Sequence, residues 1–581
     1  MTFDLAYDQY IVESVWKIRE LSADEIEQTK QLARELNIEF QSARLLVFRG
    51  ITTAEAARKY IRPSLNELHD PFLMKDMDKA VERLHQAIEQ QEMILVYGDY
   101  DVDGTTAVAL MYSFLESLTD KVKFYIPDRY TEGYGISFMG VDYAQAIGCK
   151  LMIALDCGIK AMDKIAYAAK RNIDVIVCDH HTPGNELPDA VAVLNMKRAD
   201  CGYPYKDLSG CGVGFKLVQA YAQKYGITLD LQRFLPYTAM AVASDIVSVT
   251  GENRILTFFG LKAINTQPTE GIAALLQVAG IDHKHVTISD LGYKIGPRIN
   301  ACGRLYSGRE AVELLLTEDP IFAQQRAQEV NAYNAERQNY DRTTAEEALE
   351  MLAQDPDNDK KHTTVVYSPK WHKGVVGIAA SKLTETYYRP TIVLTTGGTG
   401  QISGSARSVG GFDLYSAIDS CRDLLTNFGG HAFAAGLSML ETSLPEFKRR
   451  FEEYVAAHIT EEQLHPTIEV EAEIAFSDIT EQFFKVLRCL EPFGPGNPRP
   501  VFVTRNVINN RYTKRVGKCG EHLHVDLTDR TAAISGIAFG KGDWALHLQN
   551  GNAVDVCYEI EENIYNGVRS LQMMVTDLKT R

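Results

Sequence analysis

Four apolar runs in this chain each end in acids or histidines: ILVYGDYDVDG at 94–104, LMIALDCG at 151–158, VIVCDHH at 175–181 and MAVASDIV at 240–247. Each run is short and rich in Val, Ile, Leu or Ala, the pattern expected of strands buried on both faces of a parallel sheet. The polar residues therefore gather at the strands' carboxyl ends. That edge is where open α/β sheets bind ligands, at the point where the strand order reverses.

A chain of 581 residues, 45% hydrophobic and 24% charged, needs several cores and is multidomain. Residues 1–90 read as a helical accessory region, with Ser22 and Glu25 spaced as a capping box. Residues 91–310 alternate strand and helix patterns, the signature of a parallel-sheet α/β domain. Residues 311–360 form a helical connector; 321–355 lack Gly and Pro and predict one or two long helices, up to roughly 50 Å if continuous. A second αβ domain follows over 361–462, holding SGSARSVGGFD and FGGHAFAAG. Short alternating runs over 463–581, such as PVFVTRNV and HLHVDLTD, predict an all-β barrel.

The charged residues at the strand ends describe a site for divalent metals. If the first strand continues through GDYDVDG, Asp99, Asp101 and Asp103 point to one side at two-residue spacing. Three acids so placed repel one another unless a cation neutralises them. Asp156 and Asp179 end strands 23 residues apart, one βαβ step, and Asp245 ends a further strand. His180 and His181 add imidazole to an oxygen-rich set, which favours Mn²⁺ or Mg²⁺. Taken singly, an Asp-rich turn is commonly a solvated loop and a strand-end Asp commonly a helix cap. Recurrence at four strand ends favours a shared site. The set suffices for two metal ions about 3.5–4 Å apart, able to clamp both ends of an in-line phosphoryl displacement.

A net charge of −17 argues against a general basic surface for duplex nucleic acid, although a local groove can still bind a strand. The acidic start MTFDLAYDQY lacks signal-peptide features, no run is long enough to cross a bilayer, and ten scattered cysteines read as reduced thiols. A cytoplasmic location is expected, with no membrane association. There is no GxxxxGK[ST] loop, and GCGVGF at 210–215 lacks the spacing of a dinucleotide fingerprint.

GDYDVDG, the DCG at Asp156, DHH at 179–181 and ASD at 243–245 resemble motifs I to IV of the DHH phosphoesterase superfamily. GPRINACGR (296–304), WHKGVVGIAASKL (371–383), GSARS (404–408), GGHAFAAG (429–436) and PFGPGNPRPVF (492–502) resemble its bacterial RecJ branch, so the resemblance covers nearly the whole chain. It implies a DHH domain, a DHHA1-like domain and an OB-fold barrel. It also implies a 5′-to-3′ exonuclease specific for single-stranded DNA, acting in repair and recombination with Mn²⁺ or Mg²⁺. Carried over by motif, Asp101, Asp103, Asp156, His180 and Asp245 are the principal metal ligands, with Asp99, Asp179 and His181 completing the site. Asp179 serves either as ligand or as partner of a neighbouring histidine, and His181 touches either metal or scissile phosphate.

Arg129, Arg298, Arg304, Ser405, Arg407 and His431 are candidates to hold phosphate, with Gly429 and Gly430 allowing close backbone approach. For the arginines, ordinary structural ion pairs compete with that reading. In the barrel, Arg511, Lys514 and Arg515 surround Tyr512, a cationic and aromatic set suited to a single strand, against the alternative of a solvated hairpin. The resemblance implies a monomer working with a single-strand-binding protein and a helicase. Two other readings fit the motifs: a DHH-type oligonucleotide phosphodiesterase or phosphatase, and a non-catalytic strand-binding replication scaffold. The helical spacer and barrel favour a long polymer, and the intact acids favour catalysis.

Overall fold

The computed structural model describes residues 12–398, 400–565 and 568–580. The chain divides into two compact units: Arg58–Arg337 with Leu490–Pro498, and residues up to Ala57 with Gln338–Cys489 and Arg499–Arg581. Among the described residues, no helix is long and apolar enough to cross a membrane.

The first unit is built on a five-stranded parallel sheet. Met93–Gly98 lies between Val122–Tyr125 and Cys149–Leu155; Asp174–Cys178 and Ala192–Leu194 follow outward. In chain order within the sheet the arrangement is 2-1-3-4-5, so the order reverses between Met93–Gly98 and Cys149–Leu155. Ile94, Val96, Ile153 and Leu155 belong to one buried cluster, while Leu95, Tyr97, Met152 and Ala154 belong to another. Those two clusters cover the two faces of the sheet, as the continuous apolar runs require.

Two expectations at the candidate site are corrected. MAVASD is no strand: Met240 to Ser244 close the helix Leu231–Ser244, and Asp245 is its C-cap. A short apolar run cannot separate a buried strand from a buried helix, and Ala239, Ala241 and Ala243 supply the strongest helix former. Nor does the first strand continue through GDYDVDG. It stops at Gly98, Asp101 caps the helix Val102–Glu116 by accepting from the Gly104 N–H at 3.0 Å, and Asp103 lies within that helix. The DVDG sequence acts as a helix start, with an acid at the N-cap and another in the first turn, both favourable at the positive end of a helix.

The helix Pro320–Ala353 is a single element of 34 residues, and the boundary between the units falls inside it. Ala323, Ala327 and Val330 are buried in the core of the first unit, while Ala348 and Leu352 pack with Trp371, Val376 and Leu383 in the second. One continuous helix thus contributes to both cores.

In the second unit, a five-stranded sheet runs in the order Leu425–Gly430, Ala434–Leu440, Gln401–Arg407, Thr391–Gly398 and Thr364–Tyr367. The carboxyl-terminal strands close on themselves. Phe502–Asn509 pairs with both Val554–Tyr565 and His522–Thr528, and Val568–Thr580 joins Val554–Tyr565 to Ala533–Ala538, which returns to His522–Thr528. That ring of five strands is the expected all-β barrel, and closure leaves its strands without an open edge. The segment Val15–Ile18, read as part of a helical region, forms a strand parallel to Thr467–Val470. Ser22 and Glu25 form the capping box that their spacing predicts.

Gly104 lets the helix Val102–Glu116 approach the end of the first strand, because a Cβ there would lie 2.5 Å from the Asp99 carbonyl oxygen. Gly104→Ala should cost about 1–3 kcal/mol through overpacking, measured as a lower thermal midpoint; an unchanged midpoint would show that the strand end can yield.

Candidate metal centre

The sheet delivers its acids to one edge because each strand stops where its apolar run ends. Asp99 follows the first strand, Asp156 follows Cys149–Leu155, and Asp179 and His180 follow Asp174–Cys178. The first two of these strand ends flank the reversal of strand order, where the diverging connections open a crevice, and the third lies one strand farther out. Asp156 has a φ of 59°, a left-handed conformation that Asp adopts more readily than most residues. It turns the chain sharply off the strand, and Gly210 makes room, since a Cβ there would lie 2.5 Å from the Asp156 Cβ.

His180 is the meeting point. Its Nε2 lies 3.2 Å from Asp156 Oδ1, 3.5 Å from Asp245 Oδ2 and 3.9 Å from Asp103 Oδ2. Among the described residues, two sets of potential ligand atoms converge within 4.8 Å: Asp156, His180 and His181, and Asp103, His180 and Asp245. Asp99, Asp101 and Asp179 fall outside both sets. Asp179 Oδ2 accepts from the Ile159 N–H at 2.9 Å, while Oδ1 accepts from the His181 N–H at 3.0 Å and faces His181 Nδ1 at 2.7 Å. Both of its oxygens are therefore engaged within the protein. Asp103 is seated on the N-terminus of the helix Gly210–Tyr225, accepting from Gly210 N at 2.6 Å and Cys211 N at 2.7 Å.

Electrostatics set this cluster apart from a solvated acidic turn. Burial, with the charge of Asp101 second, pushes Asp99 up to about 8 and Asp103 up to about 7. Burial and the charges of Asp103 and Asp101 push Asp245 up to about 9. Asp156 is driven well above the usual carboxylate range by burial and by four neighbouring aspartates. Burial and the charge of His181 bring His180 down to about 3, so its ring is neutral and able to donate a lone pair. Burial opposes charge on His181, but the Asp179 carboxylate outweighs it and raises the ring, while Asp179 itself is lowered by the pair.

Asp156 Oδ1 and His180 Nε2, which face each other at 3.2 Å in this cluster, have no hydrogen-bond partner, and neither has Asp99 Oδ2 at the end of the first strand. Unpaired buried groups of this kind are costly, and crowded carboxylates with a neutral imidazole are the donor set for hard divalent cations. The residues present fit the implied metals.

Sequence reasoning missed the groups that support these side chains. Tyr134 Oη lies 3.2 Å from His181 Nε2, and Asn195 Nδ2 donates to the His181 carbonyl at 2.8 Å. The Gly210 and Cys211 N–H donors also went unseen, although GCGVGF after Ser209, a helix N-cap, was a legible sign of a helix start.

The candidate phosphate holders fall into two groups. In the sheet unit, the Arg129 guanidinium lies over the Tyr100 ring at 5.0 Å, and Arg298 donates to Asn331 Oδ1 at 3.0 Å and to the Lys294 carbonyl at 2.6 Å. Arg304 is half-buried, and its carbonyl accepts from the Tyr130 hydroxyl. The remainder belong to the second unit. Arg407 donates to Ser405 Oγ at 2.7 Å; burial alone lowers it, with no carboxylate contributing. Gly377 faces both side chains, since a Cβ there would meet Arg407 and Ser405 at 3.1 Å. Gly429 and Gly430 pair with Gly436 and Ala435, and His431 is exposed just beyond. In the barrel, Arg511, Tyr512 and Lys514 are exposed, whereas Arg515 pairs with Asp543.

Comparison with known proteins places three families along the chain: the DHH family, N-terminal domain, over residues 93–242, the DHHA1 domain over 359–457 and the RecJ OB domain over 470–577. The single-stranded-DNA-specific exonuclease RecJ of Bacillus subtilis is 35% identical over 97% of this chain and 70% of its own length. RecJ of Dickeya dadantii is 34% identical over 92% of this chain and 95% of its own. The crystal structure of RecJ in complex with Mn²⁺ from Thermus thermophilus matches with a TM-score of 0.83 and 28% identity, covering 97% of this chain and 79% of that one. The Mg²⁺ complex from the same organism matches with a TM-score of 0.77 and 28% identity, covering 97% and 78%.

The raised carboxylates fix a pH dependence. Each aspartate pushed up binds its proton more tightly folded than unfolded, so the folded state holds more protons between the ordinary carboxylate value, about 4, and the values of about 7 to 9 at Asp103, Asp99 and Asp245. Stability in chelator should therefore fall as pH rises through that window. Added Mn²⁺ should restore the thermal midpoint more at pH about 8 than at pH about 5. A midpoint flat in pH, or a Mn²⁺ effect equal at both, would contradict the clustered acids.

Proposed function

Because the chain belongs to the RecJ family of single-stranded-DNA-specific exonucleases, we propose that the centre around His180 hydrolyses the terminal phosphodiester of single-stranded DNA from its 5′ end, releasing 5′-mononucleotides. The observation that carries this reading is the convergence of Asp103, Asp156 and Asp245 on His180 at the carboxyl edge of the parallel sheet, with Asp156 Oδ1 and His180 Nε2 both lacking a hydrogen-bond partner there.

The centre takes divalent cations, Mn²⁺ or Mg²⁺, and we propose two. Asp103, Asp156, His180 and Asp245 would hold them, with Asp99 and Asp101 alongside. When bound, they supply charge neutralisation at the phosphate and activation of water. The protein's own groups do the rest. The Gly210 and Cys211 N–H donors fix Asp103 in place, and the low basicity of His180 keeps its ring available. Asp179 orients His181, which we place beside the scissile phosphate. Arg407, half-buried without a carboxylate partner and braced by Ser405, suits a phosphate of the strand, where a fork-shaped guanidinium matches two oxygens.

Arg129, Arg298, Arg304 and His431 are proposed as further contacts to the strand, and Arg511, Tyr512 and Lys514 as the barrel's contribution. Arg515 contributes less, because Asp543 already engages it. Ten unpaired cysteines suit a reducing cytoplasm. A monomer cooperating with a helicase and a single-strand-binding protein, in repair and recombination, completes the proposal.

The test is a product time course on single-stranded DNA labelled at either end, with Mn²⁺ or chelator, beside a blunt duplex of the same sequence. Mononucleotide release from the 5′ end of the single strand, dependent on cation, is expected; release from the 3′ end, or equal cleavage of the duplex, would overturn the reading. Asp156→Ala and His180→Ala should abolish release while retaining strand binding. Arg407→Ala should lower kcat/KM by about 10- to 100-fold, the worth of a hydrogen bond to a charged group, and unchanged kinetics would show that Arg407 does not hold the strand.

A further inference from the structure

The segment between Tyr125 and Ser137 is held far more firmly than a surface loop needs to be. Asp128 Oδ1 accepts from the N–H groups of Tyr130 at 3.0 Å and Thr131 at 2.8 Å. Glu132 accepts from the Asp128 N–H at 2.8 Å and from the Tyr125 hydroxyl at 3.0 Å. Farther along, Gly135 N–H donates to Asp99 Oδ1 at 3.2 Å, and its carbonyl accepts from the Tyr97 hydroxyl at 2.9 Å. Between these anchors Tyr134 is flanked by Gly133 at φ 86° and Gly135 at φ 76°, conformations that favour glycine.

Tyr134 is 52% exposed, so its ring is no core residue, yet its hydroxyl points inward. That hydroxyl lies 3.0 Å from the Asp156 carbonyl oxygen and 3.2 Å from His181 Nε2. His181 Nδ1 lies 2.7 Å from Asp179 Oδ1, and the His181 ring stands edge-on to His180 with centroids 4.5 Å apart. The imidazole is thus engaged at both nitrogens, by Asp179 on one side and by the phenol on the other. With Asp179 alone the ring keeps one point of attachment and can swing; with both, its plane is fixed.

We propose that Tyr134 is a positioning residue that acts through His181, holding the ring by Nε2 while the anchored 128–137 loop holds the phenol. The inference rests on the reading that His181 lies beside the scissile phosphate. Removing the hydroxyl leaves the ring of residue 134 and its backbone in place, so the effect should appear in turnover and in the imidazole itself, not in folding.

The test combines two measurements on the full chain. Tyr134→Phe should lower kcat on single-stranded DNA by about 10- to 100-fold, the range for groups that orient functional side chains, with KM and the thermal midpoint unchanged. Without substrate or cation, ¹⁵N-histidine spectra, assigned by the ring signals lost in His181→Gln and in His180→Gln, should show the His181 Nε2 resonance shifted in Tyr134→Phe while the His180 resonances stay in place. An unmoved Nε2 signal overturns the proposal, as does a kcat equal to that of the unaltered protein. A raised KM at constant kcat also overturns it, since that would make Tyr134 a strand contact. Failure of the unaltered protein to cleave single-stranded DNA would instead remove the functional reading, and the spectra would still decide whether the phenol holds the ring.

Discussion

Burial of mutually repelling carboxylates at one sheet edge is the interaction on which this molecule's organisation turns. Asp103 and Asp156 are almost wholly removed from solvent, and the charges that bear on them most strongly are those of other acids. A fold does not gather such groups for stability, since each raises the cost of ionising the next. The surrounding architecture supports the cluster: a helix N-terminus beneath Asp103, a glycine opposite Asp156, and an anchored loop that brings Gly135 to Asp99. These devices hold the acids in place but do not neutralise them, so the centre is complete only with cations.

Much of this was legible in the sequence because parallel strands buried on both faces leave an unbroken apolar signature, and the residues that end them must lie at one edge. Asp99, Asp156, Asp179 and His180 follow directly from that logic. Asp245 reached the site by another route, as the C-cap of a helix whose alanine-rich end imitates a short strand. Its chemistry was visible and its scaffold was not. The DVDG sequence held a similar ambiguity, since acids at alternate positions suit an extended strand as well as an N-cap and first turn. Tyr134, Asn195 and the Gly210 N–H escaped because nothing in residue type or spacing marks a supporting hydrogen bond; only the folded loop brings the phenol to His181.

The second unit shows a different economy of charge. Arg407 is half-buried beside Ser405 and without an acid, an arrangement that leaves a guanidinium available for an anion from outside. Several of the barrel's basic side chains are already engaged, Arg505 by Glu473 and Asp555 and Arg515 by Asp543, while Arg511, Lys514 and the exposed Tyr512 ring remain available to follow a strand. The continuous helix Pro320–Ala353 buries its early alanines in one core and its late ones in the other, so a single element serves the cores beneath both kinds of chemistry.

The central claim is that His180 and the aspartates around it form a cation centre. Crystals soaked in Mn²⁺ and measured at the manganese absorption edge test it most directly. The account predicts two anomalous peaks among Asp103, Asp156, His180 and Asp245, and a single peak elsewhere, or none at saturating Mn²⁺, would contradict it.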